Sequence, residues 1–398
     1  MRLDINNNKG ITDIPLSGNP QITYFSNVYR RHTNFAIKRD KIESTLPSHN
    51  ISINHMGDLL KSIDLEIDIT KNESSIPANL GTSILNEITI STNGKEFEKL
   101  SGSYIEMYME LKNPKGVNTF YVVNDSKITC NEGTMEQILS LSGGVFNANT
   151  VNTSKINIIL PIPFSFSNNI GSALPYFLFH LNKKLEINFN VNNNLEFVNN
   201  NIGKIEYSLI IYHIILSNEE RNRFEVSQNE YLFEKIYIQN INVNSTRSYP
   251  IEPIYGNIKS IMWKNEWTKN YKYNILINRR RLFNNNMSYH YFTRHTILNS
   301  GYPGGGNSYM DAPWYHGPAE QIVKNDDSIA FYSFALNDYM DSGEDSSTPS
   351  GSISSNKNEI ILIIDGEQTL KKGNIDLYIK AYNIMHITEG YFKLEYIH

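Results

Sequence analysis

An all-β chain of two antiparallel sandwiches in tandem is predicted by three observations. Apolar and polar residues alternate through most of the chain, helical spacing is confined to short stretches, and the alternation breaks and restarts near the midpoint. The alternation is clearest where Ile63, Leu65, Ile67 and Ile69 interleave with Asp64, Glu66 and Asp68. Successive side chains of a strand point to opposite faces, so one face there is buried and the other wet. The same pattern returns at Ile156, Ile158 and Leu160, at Leu185, Ile187, Phe189 and Val191, and at Ile375, Leu377 and Ile379. Half-buried antiparallel strands follow from it.

Taken in order, Asn93-Gly94 between Ile88, Ile90 and Phe97 predicts a two-residue hairpin turn, because Asn and Gly accept the positive φ values it demands. Tyr104, Met107, Tyr108 and Leu111 then fall at helical spacing, and Pro114 ends the run. Ile210 to Leu216 predicts a fully buried strand, and Ser217 with Glu219 and Glu220 behind it predicts a capped helix. Alternation restarts at Ile236, Ile238 and Ile241. The expected organisation is an N-terminal arm over 1–19, a first sandwich over 20–217, an interdomain helix and linker over 218–234, and a second sandwich over 235–398. Roughly eight short strands fit in each half, as in a jelly roll. Immunoglobulin-like sandwiches would alternate in the same way.

Composition narrows the function classes. At 398 residues with 40% hydrophobic content the chain can bury two ordinary cores. No stretch approaches the ~20 apolar residues of a membrane-spanning helix, and the start lacks the apolar segment of a secretory signal, so a soluble, non-secreted protein is expected. Cys130 is the sole cysteine, which rules out an intramolecular disulfide and a cysteine-based zinc site. A net charge of −5 argues against a surface that grips nucleic acid as a whole. Asn runs such as Asn192-Asn-Asn194 read as loop tips, and the Asn-x-Ser/Thr triplets at Asn72, Asn152, Asn244 and Asn286 as chance matches.

A search for chemistry yields little. His290, His295 and His316 have no zinc-ligand spacing, and Gly304-Gly-Gly306 precedes no Lys-Ser/Thr pair that would make it a phosphate cradle. There is no Gly-x-Ser-x-Gly elbow, and no histidine lies near Cys130 in sequence. No catalytic residue, cofactor or metal is therefore expected, and the protein is read as not an enzyme. Two basic clusters remain. Arg279, Arg280 and Arg281, flanked by Tyr271, Tyr273 and Phe283, mix arginine with aromatics as single-stranded nucleic-acid grooves do. Arginine is also favoured at subunit interfaces, and that reading is preferred here and for Arg30 and Arg31.

The stretch Gly18-Asn-Pro-Gln-Ile-Thr-Tyr-Phe-Ser-Asn-Val-Tyr-Arg-Arg-His32 resembles the N-terminal signature of the double jelly-roll major capsid proteins of nucleocytoplasmic large DNA viruses. Leu160-Pro-Ile-Pro-Phe-Ser-Phe-Ser167, Asn218-Glu-Glu-Arg-Asn-Arg-Phe224 through Glu234, Tyr332-Ser-Phe-Ala-Leu336 with Pro349-Ser-Gly351, and Ala381-Tyr-Asn-Ile384 resemble later segments of that family in the same order. The acidic run Asp338 to Ser347 departs from it by lengthening the connection before Pro349. The resemblance implies two consecutive eight-stranded jelly rolls with short helices in loops and linker. It also implies a homotrimeric, pseudo-hexagonal capsomer tiling an icosahedral shell, in virions assembled in the host cytoplasm. Expected partners are further copies of the chain, minor capsid proteins and an internal viral membrane, with no specific nucleic acid. A minor capsid or membrane-shaping scaffold role for the same fold is the nearer alternative. A carbohydrate-binding sandwich is the more distant one, with Trp263, Trp267 and Trp314 as its stacking candidates.

Overall fold

The computed structural model describes residues 21, 24, 25, 31–44, 48–53, 57–71, 80–92, 94–112, 120–124, 127–131, 155–179, 185–192, 202–227, 229–243, 248–264, 271–289, 291–302, 329–339, 349–366, 373–388 and 391–396. Residues 1–34 and 35–398 are separate compact units, and the strands belong to the second. In the first half they are β1 (Phe35–Ser44), β2 (Ser48–Ile53), β3 (Leu59–Lys71), β4 (Leu85–Thr92), β5 (Lys95–Ser101), β6 (Phe120–Asn124), β7 (Lys127–Asn131), β8 (Lys155–Ile162), β9 (Leu185–Val191) and β10 (Ile202–Leu216). Helices α1 (Leu80–Ile84) and α2 (Gly102–Lys112) flank β4 and β5, and α2 covers the spacing read from Tyr104 to Leu111. Gly94 turns the β4–β5 hairpin at φ 71°, with Thr92 opposite Lys95.

Two four-stranded antiparallel sheets result, in the orders β1-β10-β3-β8 and β2-β9-β4-β5, with β6–β7 as a separate hairpin. Apart from the β4–β5 hairpin, neighbours in each sheet are distant in sequence, because the chain otherwise passes from one sheet to the other. That path is a jelly roll. Its core face carries the alternating set Ile63, Leu65, Ile67 and Ile69, all at most 2% exposed, opposed by Ile88, Ile90, Ile187 and Phe189 in the same cluster. Burying such a side chain contributes about 1.5–3 kcal/mol, so register is fixed by pattern, since a one-residue slip would turn every one of them to solvent.

Helix α3 (Asn218–Val226) follows β10, with the Ser217 Oγ accepting from Glu220 N at 3.4 Å and Glu219 and Glu220 in its first turn. The strand before it is less buried than its composition suggests: Ile215 is exposed, and Ile210 and Tyr212 are half-buried. Leu209 and Ile211, which alternate with Ile210 and Tyr212, are in the core, because only one face of β10 points into the sandwich.

The second half repeats the plan with β11 (Asn229–Val243), β12 (Ser248–Pro250), β13 (Asn257–Trp263), β14 (Lys272–Ile277), β15 (Arg280–Arg281), β16 (Met287–Ser288), β17 (Ala330–Ser333), β18 (Ile353–Ser354), β19 (Ile360–Asp365), β20 (Gly373–Thr388) and β21 (Tyr391–Leu394). Helix α4 (Thr296–Asn299) precedes β17. The sheet orders are β11-β20-β13-β17 and β12-β19-β14-β15, with β16, β18 and β21 as short additions. Strand β11 starts at Asn229, inside the segment read as linker, because Glu230 to Lys235 pair with β20 rather than continuing the helix.

Candidate assembly surface

Two features of the fold bear on function: the joint between the sandwiches, and the turns at one end of each. At the joint, the first half of β11 and the last residues of β20 stay paired with each other and run on past the start of β13. Phe233, Met385 and Ile387 are buried in the core that holds the first sandwich. The second core is a separate cluster built around Trp263, Tyr273 and Phe292.

Beside these apolar contacts lies a buried charge cluster. Lys259 on β13 and Lys380 on β20 point inward from otherwise apolar strands and are 1% and 2% exposed. The Lys380 Nζ lies 2.9 Å from Asp338 Oδ2 and 3.5 Å from Glu234 Oε2. Lys259 Nζ bonds Glu234 and donates to the Asp338 carbonyl at 2.9 Å. Tyr302 Oη donates to Asp338 Oδ2 at 2.6 Å and accepts from Lys380 Nζ at 3.0 Å. Two cations thus face two carboxylates, which is the condition for keeping charge in a dry interior. Burial pushes the Asp338 carboxyl up, but the two lysines outweigh it and hold it below the usual carboxylate range. Burial likewise works against charge on Lys380, yet Asp338 and Glu234 hold its ammonium well above the usual lysine value. Tyr108 on α2 places its ring 5.7 Å from Lys380 Nζ, and Lys264 reaches Glu106 of the same helix at 3.0 Å. Helix α2 of the first sandwich is therefore tied to the charged centre of the second.

A second buried acid sits nearby on β5. Glu98 is 2% exposed and accepts from Ser165 N at 2.9 Å and Ser165 Oγ at 2.8 Å. Burial raises its carboxyl to about 8, so near neutral pH it is mostly the protonated acid.

The ends of the sandwiches follow from register. Phe35 lies opposite Leu216 and Ile214 opposite Leu59, so the start of β1 and the end of β10 share the end where β3 begins. Helix α3 packs there, with Phe224 edge-on to Phe177 at 6.3 Å and Arg221 both 4.9 Å over that ring and 3.2 Å from Asp58. In the second sandwich the corresponding end carries the connections after β12, β14 and β17, since Pro250 lies opposite Ile361 and Ile277 opposite Ile360. Large apolar side chains stand exposed on these turns and strand ends: Phe35, Ile37, Ile170, Ile215 and Val226 in the first half, Tyr255, Leu282 and Leu336 in the second.

The arginine triplet is at this end. Ile277 and Arg280 pair across a two-residue turn, Asn278-Arg279, and all three arginines are exposed. Tyr271 and Tyr273 are buried, and Phe283 packs edge-on to Tyr291, Phe292 and Tyr332. The aromatics that suggested a base-stacking groove therefore serve the core instead. Arg31 is exposed in the 1–34 unit, and Arg30 lies outside the described residues.

Trp263 is fully buried against Tyr273 and Phe292, which removes it as a sugar platform; Trp267 and Trp314 lie outside the described residues. His295 stacks on Tyr291 at 4.8 Å and contacts Asn299, while His290 and His316 lie outside them. Among the described residues no three or more His, Cys, Asp or Glu side chains gather as metal ligands, and no helix is long and apolar enough to cross a membrane. Sequence reading missed the charge cluster. Its one signal is a lysine at an inward position of an apolar strand, as in Asn257-Ile-Lys-Ser-Ile-Met-Trp263.

Comparison with known proteins bears on both halves. Residues 23–217 match the family model described as the major capsid protein N-terminus. The chain is 28% identical over 237 residues to the major capsid protein of Pyramimonas orientalis virus, covering 57% of this chain and 56% of that one. It is 26% identical over 254 residues to capsid protein 1 of Acanthamoeba polyphaga mimivirus, covering 57% and 42%. The chain thus spans about half the length of the curated relatives it matches. In structure it resembles PBCV-1 VP54 with a TM-score of 0.71 at 17% identity, covering 94% of this chain and 100% of that one. It resembles the Faustovirus major capsid protein with a TM-score of 0.62 at 9% identity, covering 95% and 94%.

Proposed function

The chain belongs to the double jelly-roll major capsid protein family of nucleocytoplasmic large DNA viruses, and on that premise we propose that it builds a virion shell as a homotrimer. The observation that carries the proposal is the repetition of one jelly-roll strand order in both halves of the chain, under a family match that covers the first of them. Two similar sandwiches per chain, taken three times around an axis, give six near-equivalent edges that tile a hexagonal lattice through heterologous contacts. The role is structural, resting on shape and interface area with no reaction to catalyse.

In this reading the chain divides into an arm, a first jelly roll ending near residue 217, a linker helix and a second jelly roll. The charge cluster supports the reading by fixing one sandwich against the other, as a rigid tile requires. Arg30, Arg31, Arg279, Arg280 and Arg281 serve subunit or inner-face contacts, and the further partners are neighbouring capsomers, minor capsid proteins and an internal viral membrane. Assembly takes place in the host cytoplasm.

Light scattering on a size-exclusion column tests the proposal, with electron microscopy of the peak. The expected species has about three times the mass of the 45.7 kDa chain and a hexagonal outline. A monodisperse monomer at all concentrations would overturn the trimer.

A further inference from the structure

We propose that the turn end of the second sandwich is a docking surface for an anionic phospholipid layer, with the Arg279–Arg281 hairpin as its basic tip. The inference rests on the shell-protein reading only in naming the partner of arginines already assigned to contacts there.

Backbone geometry is the first observation. Asn278 and Arg279 both have positive φ, 50° and 66°, as a two-residue hairpin turn with the twist of its strands requires. Asparagine tolerates this region, whereas an arginine is rare in it and is strained there. The turn is nevertheless pinned. Asn278 N donates to the Glu359 carbonyl at 2.9 Å, Glu359 N donates to Asn278 Oδ1 at 3.0 Å, and Asn278 Nδ2 donates to Asn358 Oδ1 at 2.8 Å. A strained arginine on a fixed turn is held out for contact rather than for folding.

Charge is the second observation. Arg279 approaches Glu359 only at 3.9 Å with its side chain 87% exposed, and Arg280 and Arg281 have no ion pair among the described residues. On a chain of net charge −5, three such arginines form a local cationic tip whose complement is an anion.

The third observation selects the anion. Leu282 follows the triplet directly and is exposed. Together with Ile277, Asn278, Arg280 and Arg281 it lines a concavity of about 490 Å³. Tyr255 and Leu336 stand exposed on the two other connections at the same end. Arginine beside single apolar and tyrosyl side chains on separate turns matches a headgroup layer, which accepts protruding tips at different depths. A folded partner needs one contiguous complementary patch. Single-stranded nucleic acid held by base stacking needs exposed rings beside the arginines, and here Tyr271 and Tyr273 are buried while Phe283 packs on Tyr291, Phe292 and Tyr332.

The test is co-sedimentation of the full chain with vesicles of phosphatidylcholine alone and with added phosphatidylserine. Binding is expected only to the anionic vesicles and should fall as salt rises. Replacing one arginine by glutamine should weaken it about fivefold, and R279Q/R280Q/R281Q on the order of a hundredfold, with particle mass and melting temperature unchanged. Leu282→Ser should weaken binding without altering its salt dependence. Absence of binding by the wild-type chain, or equal binding by the triple variant, would overturn the proposal. So would displacement by micromolar glycerophosphoserine, which would identify a free-anion site. Loss of the trimer in the folded triple variant would make the arginines subunit contacts instead. A trimer that ignores lipid leaves the shell reading intact, whereas a lipid-binding monomer removes the trimer alone.

Discussion

At the scale of single residues, the two buried acids at the joint make opposite demands. Glu98 has its carboxyl raised from 4.5 to about 8 by burial, so the folded chain keeps a proton that the unfolded chain has released. Its contribution to stability is complete below the unfolded value and is lost as pH rises through the folded one. Between pH 5 and 8 this group alone lowers stability by about 1.4 kcal/mol per pH unit. Glu98→Gln, a neutral isostere of the protonated acid, should remove that slope and gain stability at pH 8, read from urea midpoints across pH. An unchanged slope would show that Glu98 is ionised in the fold. Asp338 is held ionised by Lys380 and Lys259, so Lys380→Met should cost about 3–5 kcal/mol by leaving a buried carboxylate short of its partner. In the double variant K380M/D338L, Lys259 and Glu234 still face each other. It should therefore recover most of the loss in denaturant unfolding, and a double variant as unstable as the single would show that the cost is packing, not charge.

At the scale of elements, the β14–β15 hairpin separates stability from function. Arg279→Gly relieves the left-handed strain at φ 66° and should stabilise the chain by about 0.5–1 kcal/mol in thermal unfolding. The same change should weaken binding to anionic vesicles about fivefold. A change that stabilises yet impairs is the mark of a position kept for contact; a destabilised Arg279→Gly would mean that the side chain supports the turn. Elements of this kind were legible where one local rule decides them. Asn93-Gly94 announced its hairpin, Ser217 its helix, and Ile63 to Ile69 their buried face, because turn chemistry, capping and period-two burial are written in a few adjacent residues. Strand β11 was less legible at its start. Glu230 to Lys235 lack alternation, since that half of the strand packs on both its own sandwich and the first one. The strand order was not legible at all from periodicity. Long-range pairing such as Phe35 with Leu216 leaves no local trace, and the family resemblance supplied what spacing could not. The charge cluster was hidden for the same reason, because Glu234, Lys259, Asp338 and Lys380 meet only in the fold.

For the whole molecule, the question is whether the two sandwiches behave as one body. Their strand sets are separate, and the second has its own core around Trp263. The joint nevertheless removes the independence that such a plan would allow. Phe233, Met385 and Ile387 lie in the core of the first sandwich, so unfolding the second would expose an apolar face of the first, at about 25 cal/mol per Å² uncovered. It would also break the cluster of Lys259, Lys380, Glu234 and Asp338, strip Tyr108 of its cation, and release Lys264 from Glu106. The intermediate bears each of these losses without the chain entropy that unfolding the first sandwich as well would release, which is the condition for cooperative unfolding. Calorimetry of the dissociated chain should therefore show a single transition with equal calorimetric and van't Hoff enthalpies. In Lys380→Met the joint is weakened at its charged centre while both cores remain, so the transition should broaden or split, with the van't Hoff enthalpy falling below the calorimetric one. Two resolved transitions in the wild-type chain would refute the coupling, and the rigid tile that the shell reading requires would then have to draw its stiffness from contacts between subunits.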